Sequence, residues 1–280
     1  MGALDRTWHL YKESFAVLSD DGEILLFPVL SGICAVILAV AFFVPLYRGG
    51  TLLPICQGRG TWGDYAVLFA WYYLNHFLIV FFNSALIGCA GIRLSGGRPT
   101  VAAGLRLALA HAGHLAAWAL VAATVGMILG SFNNRRNWLL RLAGAALSVG
   151  WTMVTYLIVP VLILEDRTVY DSIYRSEELF RQQWGEELIG SFGFGLLNTI
   201  LLLPGFLLAL IVWRVDPAGA VIVGLTYILF LAAITSAVTG VFKAALYRFA
   251  ATGAVPPGFT PDALNPRLAI WRPGYDGSLV

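Results

Sequence analysis

Three polar side chains within one long apolar run are the strongest candidates for chemistry in this sequence. Asn75, His76 and Asn83 lie within residues 65–92, which contain no Asp, Glu, Lys or Arg. His76 and Asn83 are seven residues apart, so a helix places them on nearly the same face. Asn198 adds a similar amide in a later apolar run. A histidine at membrane depth could relay a proton, contact a ligand or bind a metal.

The same four side chains also have a purely structural explanation. Asn and His make hydrogen bonds between transmembrane helices that contribute roughly 1 kcal/mol each. A proton relay normally passes protons to carboxylates, and the apolar runs contain none. The sequence leaves both interpretations open: a polar face that binds a solute, or a set of interhelical hydrogen bonds.

Six charge-free runs must position these side chains. A hydrocarbon core about 30 Å thick needs roughly 20 helical residues to cross it. Only 12% of the residues are charged, whereas soluble domains have about 25%. The sequence therefore predicts an all-α polytopic membrane protein with six transmembrane helices. The spans are 24–47, 65–92, 115–134, 142–164, 188–213 and 217–242.

Three amphipathic stretches, each followed by a pair of apolar runs, indicate a weak threefold repeat. They cover residues 3–19, 100–114 and 171–187. In the first, large apolar side chains recur every three or four residues, which gives a helix one apolar face. Its members are Leu4, Trp8, Tyr11, Phe15 and Leu18. Helices of this kind lie in the membrane interface or pack under the transmembrane helices, and we expect three cytoplasmic interfacial amphipathic helices.

Basic residues divide unequally between the two sides that six spans create. The side that holds both termini has twelve Lys and Arg residues, and the opposite side has six. Cytoplasmic loops carry the excess of Lys and Arg, so both termini are predicted to be cytoplasmic. Arg135 and Arg136 oppose this trend, because they would lie on the outer side.

Residues 1–250 form the predicted transmembrane domain, and residues 251–280 form a Pro-rich cytoplasmic tail. The tail contains five prolines, yet it keeps large apolar side chains such as Phe259 and Trp271. Disordered segments rarely keep so many large apolar residues. We therefore expect the tail to pack on the domain or on a neighbouring subunit.

Two further sets of residues suggest contacts with lipid and between helices. Four arginines near the predicted cytoplasmic face could contact anionic lipid headgroups. They are Arg98, Arg106, Arg175 and Arg181. Small residues four apart let helix backbones approach closely, within one bundle or between subunits. The pattern joins Gly126 with Gly130, and Gly144 with Ser148.

Sequence patterns for catalysis and for cofactor binding are missing. The chain has no G-x-S-x-G, H-E-x-x-H or P-loop sequence. Its three cysteines include no C-x-x-C pair, and His111 and His114 have no third metal ligand nearby in sequence. The net charge of +2 includes no basic block for nucleic acid. We predict no enzyme, no metal, no cofactor and no nucleic-acid partner.

Several strings resemble a bacterial family of six-helix integral membrane proteins of unknown function. They are LLFPVLSG at 25–32, FFNSAL at 81–86, RLSGGRPT at 93–100, and 160–162 followed by Arg175-Ser176, Arg181 and Trp184-Gly185-Glu186. The resemblance covers about residues 4–250 and implies an inner-membrane protein without assigned chemistry. More remotely, the repeat unit is similar to the membrane domain fused to some glycerophosphodiester phosphodiesterases. Their catalytic barrel is absent here, so the resemblance implies no activity.

Three functions remain compatible with the sequence. The first is a non-catalytic scaffold, as a homo-oligomer or as an accessory subunit of a larger membrane complex. The second is a carrier or channel for an uncharged or apolar small molecule, which would use the polar face around His76. The third is a lipid-handling protein, which would use the four arginines and the interfacial helices.

Overall fold

The structure is a computed structural model that describes residues 3–133, 138–183, 194–260 and 264. These residues form eleven α-helices and one 3₁₀ turn (Gly22–Leu25), and they contain no β-strand. The helices are α1 (Ala3–Asp20), α2 (Leu26–Arg48), α3 (Leu52–Cys56), α4 (Trp62–Leu94), α5 (Val101–Ala110), α6 (Ala112–Asn133), α7 (Trp138–Val154), α8 (Ile158–Leu164), α9 (Val169–Gln183), α10 (Phe194–Trp213) and α11 (Pro217–Thr252). The all-helical prediction is confirmed. The end of the third amphipathic stretch, the start of the fifth predicted span and most of the tail lie outside the described residues.

Five stretches in the described part of the chain are long and apolar enough to cross a membrane. They are Gly22–Arg48, Trp62–Leu94, Ala112–Phe132, Trp138–Leu164 and Pro217–Thr252. Helix α10 is also apolar, but the part of it with described side chains, Asn198–Trp213, is shorter than a full span. The structure thus supports a membrane protein with five candidate spans, and the sixth remains a prediction.

The fourth predicted span is not one continuous helix. Helix α7 ends at Val154, a turn follows, and α8 begins at Ile158. Pro160 has no N–H group, so the carbonyl of Tyr156 lacks its usual helical donor. At this break, the backbone N–H of Leu157 donates to the Ser176 side chain at 3.1 Å. The apolar run 142–164 is therefore a helix, a break and a short second helix.

The helices that cover the amphipathic stretches do not all begin and end where the sequence pattern predicts. Helix α1 covers the first stretch. Helix α5 starts after Thr100, whose side chain accepts a hydrogen bond from the Ala103 N–H, and it ends at Ala110. His111 then leaves the helical conformation with φ −105° and ψ 12°, so the expected helix over 100–114 is interrupted. Residues 112–114 belong to α6.

The chain divides into two compact units, each of which is described separately. The terminal unit combines Met1–Leu25, Ala90–Pro99 and Glu178–Val280. The central unit combines Leu26–Cys89 and Thr100–Glu177. Both are discontinuous in sequence, so each depends on contacts between distant parts of the chain.

In the terminal unit, α1 packs on α10 and α11. Val17 and Leu18 of α1 are buried. The segment after α11 reaches the same helix, because the Thr260 hydroxyl donates to Glu13 Oε1 at 2.9 Å and Phe259 is buried. The described part of the predicted tail therefore lies against α1.

In the central unit, α5 lies very close to α4. A Cβ atom at Gly104 would lie 2.6 Å from Cys89 Sγ and 2.8 Å from the backbone oxygen of Ala85. A Cβ atom at Gly88 would lie 2.5 Å from the end of the Leu107 side chain. Glycines that lack a Cβ atom allow this approach. Further contacts of the unit join α2 to α3, and α6 to α5, α7 and α8.

Burial along the two longest helices is concentrated at one end. In α4, no residue from 62 to 79 is buried, whereas nine of the eleven residues from 80 to 90 are. In α11, two of residues 217–236 and ten of the fourteen residues 237–250 are buried. The exposed ends carry the large apolar side chains that lipid would cover.

The lengths of α4 and α11 exceed the thickness of a bilayer. Their 33 and 36 residues correspond to about 50 and 54 Å at 1.5 Å per residue. Transmembrane helices tilt by about 0–40°, and a tilt above roughly 50° would be needed to fit either helix within a hydrocarbon core of about 30 Å. Part of each helix would therefore extend beyond the hydrocarbon core of a bilayer.

Candidate functional site

The predicted polar face of α4 has three half-buried members. Asn75, His76 and Asn83 are all partly exposed. The rings of His76 and Tyr72 stack with centroids 6.3 Å apart. None of the side-chain hydrogen bonds seen in the described part of the chain involves these three residues. The fourth predicted member, Asn198, belongs to the terminal unit, so neither unit contains the whole predicted set.

Asn198 is instead part of a chain of hydrogen bonds in the terminal unit. The hydroxyl of Thr235 in α11 donates to Asn198 Oδ1 in α10 at 3.3 Å. The Thr235 hydroxyl is also hydrogen-bonded to the Tyr11 hydroxyl of α1. Burial raises the pKa of the Tyr11 phenol, and the bond to Thr235 partly offsets this rise. Three helices are therefore joined through polar side chains at one point.

The sequence patterns missed two members of this chain. Tyr11 falls in the apolar stripe of the first amphipathic stretch, and Thr235 lies in a long run without charged residues. Thr239 lies four residues after Thr235, and its hydroxyl donates to the Thr235 backbone oxygen at 2.7 Å. A pair of threonines at helical spacing in an apolar run was the available signal.

A second polar cluster surrounds the turn between α8 and α9 in the central unit. Glu165 Oε2 accepts from Arg167 Nε at 2.6 Å, and its Oε1 is 3.3 Å from Arg175 Nε. The next residue, Asp166, has its Oδ1 3.3 Å from His111 Nε2.

The four predicted headgroup arginines differ in their surroundings. Arg98 and Arg106 are exposed. Arg175 is half-buried and is already paired with Glu165, which leaves it less available to lipid. Arg181 is exposed and also has an interaction within the protein.

Two further arginines, not singled out from the sequence, hold the end of α4 in the terminal unit. The Arg93 Nε atom lies 2.9 Å from Asp21 Oδ2. Arg248 Nη1 donates to the Leu94 carbonyl at 2.8 Å and to the Ser95 hydroxyl at 2.6 Å. The Arg248 guanidinium thus caps a helix end, where carbonyl groups lack helical partners.

The predicted packing glycines also differ from one another. A Cβ atom at Gly144 would lie 2.5 Å from Phe132 Cβ, so α6 and α7 approach closely there. The Ser148 hydroxyl donates to the Gly144 carbonyl of its own helix at 2.8 Å. A Cβ atom at Gly126 would lie 3.3 Å from the Tyr72 hydroxyl, and one at Gly130 would meet nothing within 4 Å.

The described residues contain one apolar groove and no metal-ligand cluster. No group of three or more His, Cys, Asp or Glu side chains in that part of the chain is placed to hold a metal ion. A groove of about 400 Å³ lies along α2 and α3. Its lining is Ala39, Val40, Phe43, Val44, Tyr47 and Leu52. The hydrogen bonds and ion pairs described above can hold helices together.

Comparison with known proteins gives one match. A family model described as a family of unknown function (DUF6159) matches residues 63–257. No curated protein and no solved structure matches the chain. The remote similarity to the membrane domain of glycerophosphodiester phosphodiesterases is therefore not shown.

Proposed function

The chain belongs to this family of unknown function, and we propose that it is a non-catalytic integral membrane protein with a structural role. It would act as a homo-oligomeric scaffold or as an accessory subunit of a larger membrane complex. The main support is the hydrogen-bonded chain of Tyr11, Thr235 and Asn198. Polar groups in that unit are used to join helices, and side chains used in this way are not available to bind a solute.

The proposal places six helices across a bacterial inner membrane, with both termini in the cytoplasm. Helix α10 provides the sixth span, because its 20 residues extend over about 30 Å. The excess of basic residues on the side of the termini supports this orientation. The buried ends of α4 and α11 then lie on the cytoplasmic side.

This placement gives the terminal unit a packed layer outside the lipid. Residues 243–250 of α11, which follow the predicted span 217–242, are mostly buried. Such a layer can present a fixed surface to other proteins, which is what a scaffold or an accessory subunit requires. Lipids remain the partners of the exposed apolar helix faces.

A carrier for an uncharged or apolar small molecule is the second candidate. Asn75, His76 and Asn83 favour it, because they are half-buried and make none of the described side-chain hydrogen bonds. Lipid handling is a third candidate, supported by the exposure of Arg98 and Arg106.

Complementation of a deletion strain separates the structural role from the carrier. The variant Asn75→Ala/His76→Ala/Asn83→Ala removes the polar face of α4. The matched variant Asn198→Leu/Thr235→Val removes a hydrogen bond between helices and keeps similar volume. A structural role predicts that the first variant complements fully at wild-type protein level, and that the second loses function in proportion to its lower level.

The carrier predicts the opposite result for the first variant. Loss of complementation with unchanged protein level and unchanged thermal stability would replace the structural role with transport. A second measurement tests the assembly itself. Native mass spectrometry of the protein extracted in lipid nanodiscs should show two or more copies or a stoichiometric partner, and an isolated monomer would contradict the scaffold.

A further inference from the structure

The apolar stripe of α1 is divided between two environments. Leu18 is buried in the terminal unit, whereas Trp8 and Phe15 are 41% and 43% exposed. Trp8 and Phe15 are seven residues apart, so they lie on the same edge of the helix. Lys12 lies about one turn from each of them and is also exposed. The outer face of α1 (Trp8, Lys12 and Phe15) therefore combines two aromatic side chains with a cation.

Contacts within the terminal unit hold Trp8 in position. Its ring stacks on that of Tyr11, with centroids 6.1 Å apart and an interplanar angle of 5°. Lys12 Nζ lies 5.2 Å from the centroid of a Trp8 ring, which is within the range of a cation–π interaction. Tyr11 is in turn hydrogen-bonded to Thr235 of α11. An aromatic side chain that is already fixed loses little freedom when it binds a ligand.

The bond between Tyr11 and Thr235 also gives the depth of α1. Thr235 lies seven residues before the end of the predicted span 217–242, which is about 10 Å along the helix. Interfacial helices bury their apolar face about 5–10 Å into the boundary between headgroups and acyl chains. The candidate span Gly22–Arg48 begins two residues after α1 ends, which agrees with this depth. In the proposed placement, α1 therefore lies at the level of the lipid headgroups.

The exposed residues of α1 change in character around the helix. Phe15 and Trp8 form the apolar edge, and the exposed residues Ala16 and His9 lie about 100° further round. Lys12 lies between these two edges. Tryptophan is enriched at membrane interfaces, and a lysine keeps its ammonium group at the headgroups while its methylene groups cover apolar surface. This order suits a lipid with its acyl chain against the aromatic edge and its phosphate beside Lys12.

We propose that the outer face of α1 binds an anionic phospholipid of the cytoplasmic leaflet. Trp8 and Phe15 contact the glycerol region and the upper part of an acyl chain, and the Lys12 ammonium contacts the charged headgroup. The site is separate from the four arginines predicted from the sequence, none of which belongs to α1. It rests on the proposed placement in the membrane and is independent of the scaffold role.

Nitroxide labels at Phe15→Cys and Ala16→Cys test the direction of this face. Cys34, Cys56 and Cys89 are replaced by serine, and the full chain is reconstituted in vesicles of phosphatidylethanolamine and phosphatidylglycerol. The label at position 15 should collide more often with oxygen, which concentrates in lipid, and the label at position 16 with a water-soluble nickel chelate. Two water-exposed labels would place the face in the cytoplasm, and two labels shielded from both reagents would show that protein covers it. Either result overturns the proposal.

Photocrosslinking in the same vesicles tests the headgroup. Phosphatidylglycerol and phosphatidylcholine, each with a diazirine on the acyl chain, are added separately in trace amounts, and labelled peptides of α1 are quantified by mass spectrometry. Phosphatidylglycerol should label α1 about five-fold more, which is the preference that one cation near an anionic surface gives. Lys12→Gln should remove this preference and Lys12→Arg should keep it, whereas Trp8→Ala/Phe15→Ala should lower labelling by both lipids. Equal labelling of the wild-type protein by the two lipids, or an unchanged preference in Lys12→Gln, would overturn the proposal.

Discussion

Replacing Gly104 by alanine should loosen the contact between α5 and α4. The added Cβ atom would lie 2.6 Å from Cys89 Sγ, 2.7 Å from Phe27 Cζ and 2.8 Å from the Ala85 backbone oxygen. Carbon atoms make favourable contacts at about 3.5–4.0 Å, so all three distances are too short. The Cys89 and Phe27 side chains can rotate, but the Ala85 oxygen belongs to the backbone of α4. Helix α5 must therefore move away.

The expected cost follows from comparison with a second glycine. Overpacking of this kind destabilises by about 1–3 kcal/mol, and alanine regains up to about 1 kcal/mol in helix propensity. Gly130→Ala is the matched control, because its Cβ atom would meet nothing within 4 Å. The gain in propensity is common to both variants. The free energies for separating α5 from α4 should therefore differ between the two variants by about 1–3 kcal/mol. This difference corresponds to a roughly 5- to 150-fold change in the equilibrium between the packed and the separated helices.

The thiol of Cys89 reports this opening directly. Cys89 is 1% exposed, and the chain has two other cysteines, Cys34 and Cys56, which are replaced by serine in all variants. Maleimide labelling of Cys89 under native conditions then requires the helices to separate. Labelling should be roughly 5- to 150-fold faster in Gly104→Ala than in Gly130→Ala.

Two results would refute this reasoning. Equal labelling rates in the two variants would show that α5 does not approach α4 as described. Faster labelling in Gly130→Ala would favour the GxxxG pattern of the sequence, which assigns close packing to Gly130. Thermal unfolding in mild detergent is a second measurement, and it should rank the two variants in the same order of stability.

Three further experiments test the terminal unit. Arg248→Ala removes the cap on the Leu94 carbonyl and should lower the unfolding free energy by about 1 kcal/mol; an unchanged melting temperature would contradict a cap. A double-mutant cycle of Asn198→Leu and Thr235→Val should give a coupling energy of about 0.6 kcal/mol, and additive effects would exclude the bond. Tyr227→Phe removes a 2.6 Å hydrogen bond to a carbonyl of α10, and should accelerate proteolysis near α10 while leaving that of α9 unchanged.

The class of the fold could be predicted from the sequence because lipid and charge exclude each other. Charge-free runs of span length identified five candidate membrane helices and the boundaries of α2 to within two residues. The same reasoning fails where protein, rather than lipid, covers the apolar residues. Residues 157–163 of the fourth run are almost all buried, and burial in protein excludes charge as strongly as lipid does.

The candidate site was less predictable because its members come from distant parts of the chain. Tyr11 and Thr235 meet through tertiary packing of α1 on α11, and neither residue type is unusual in its own helix. His111 and Asp166 are likewise joined by the fold of the central unit. Conversely, the regular spacing of Gly126 and Gly130 suggested a contact on one helix face, but only Gly126 has a neighbour in the structure.

The packing of α1 on α11 has a consequence for biosynthesis. Helix α1 is complete at Asp20, whereas its main partner α11 ends at Thr252. At ribosomal rates of about 5–20 residues per second, α1 waits roughly 10–50 s for that partner. During this interval its apolar face, with Val17 and Leu18, must rest on the membrane surface or on a chaperone. Helix α1 is thus among the last elements to reach its final position, and truncation before α11 would leave it without its main partner.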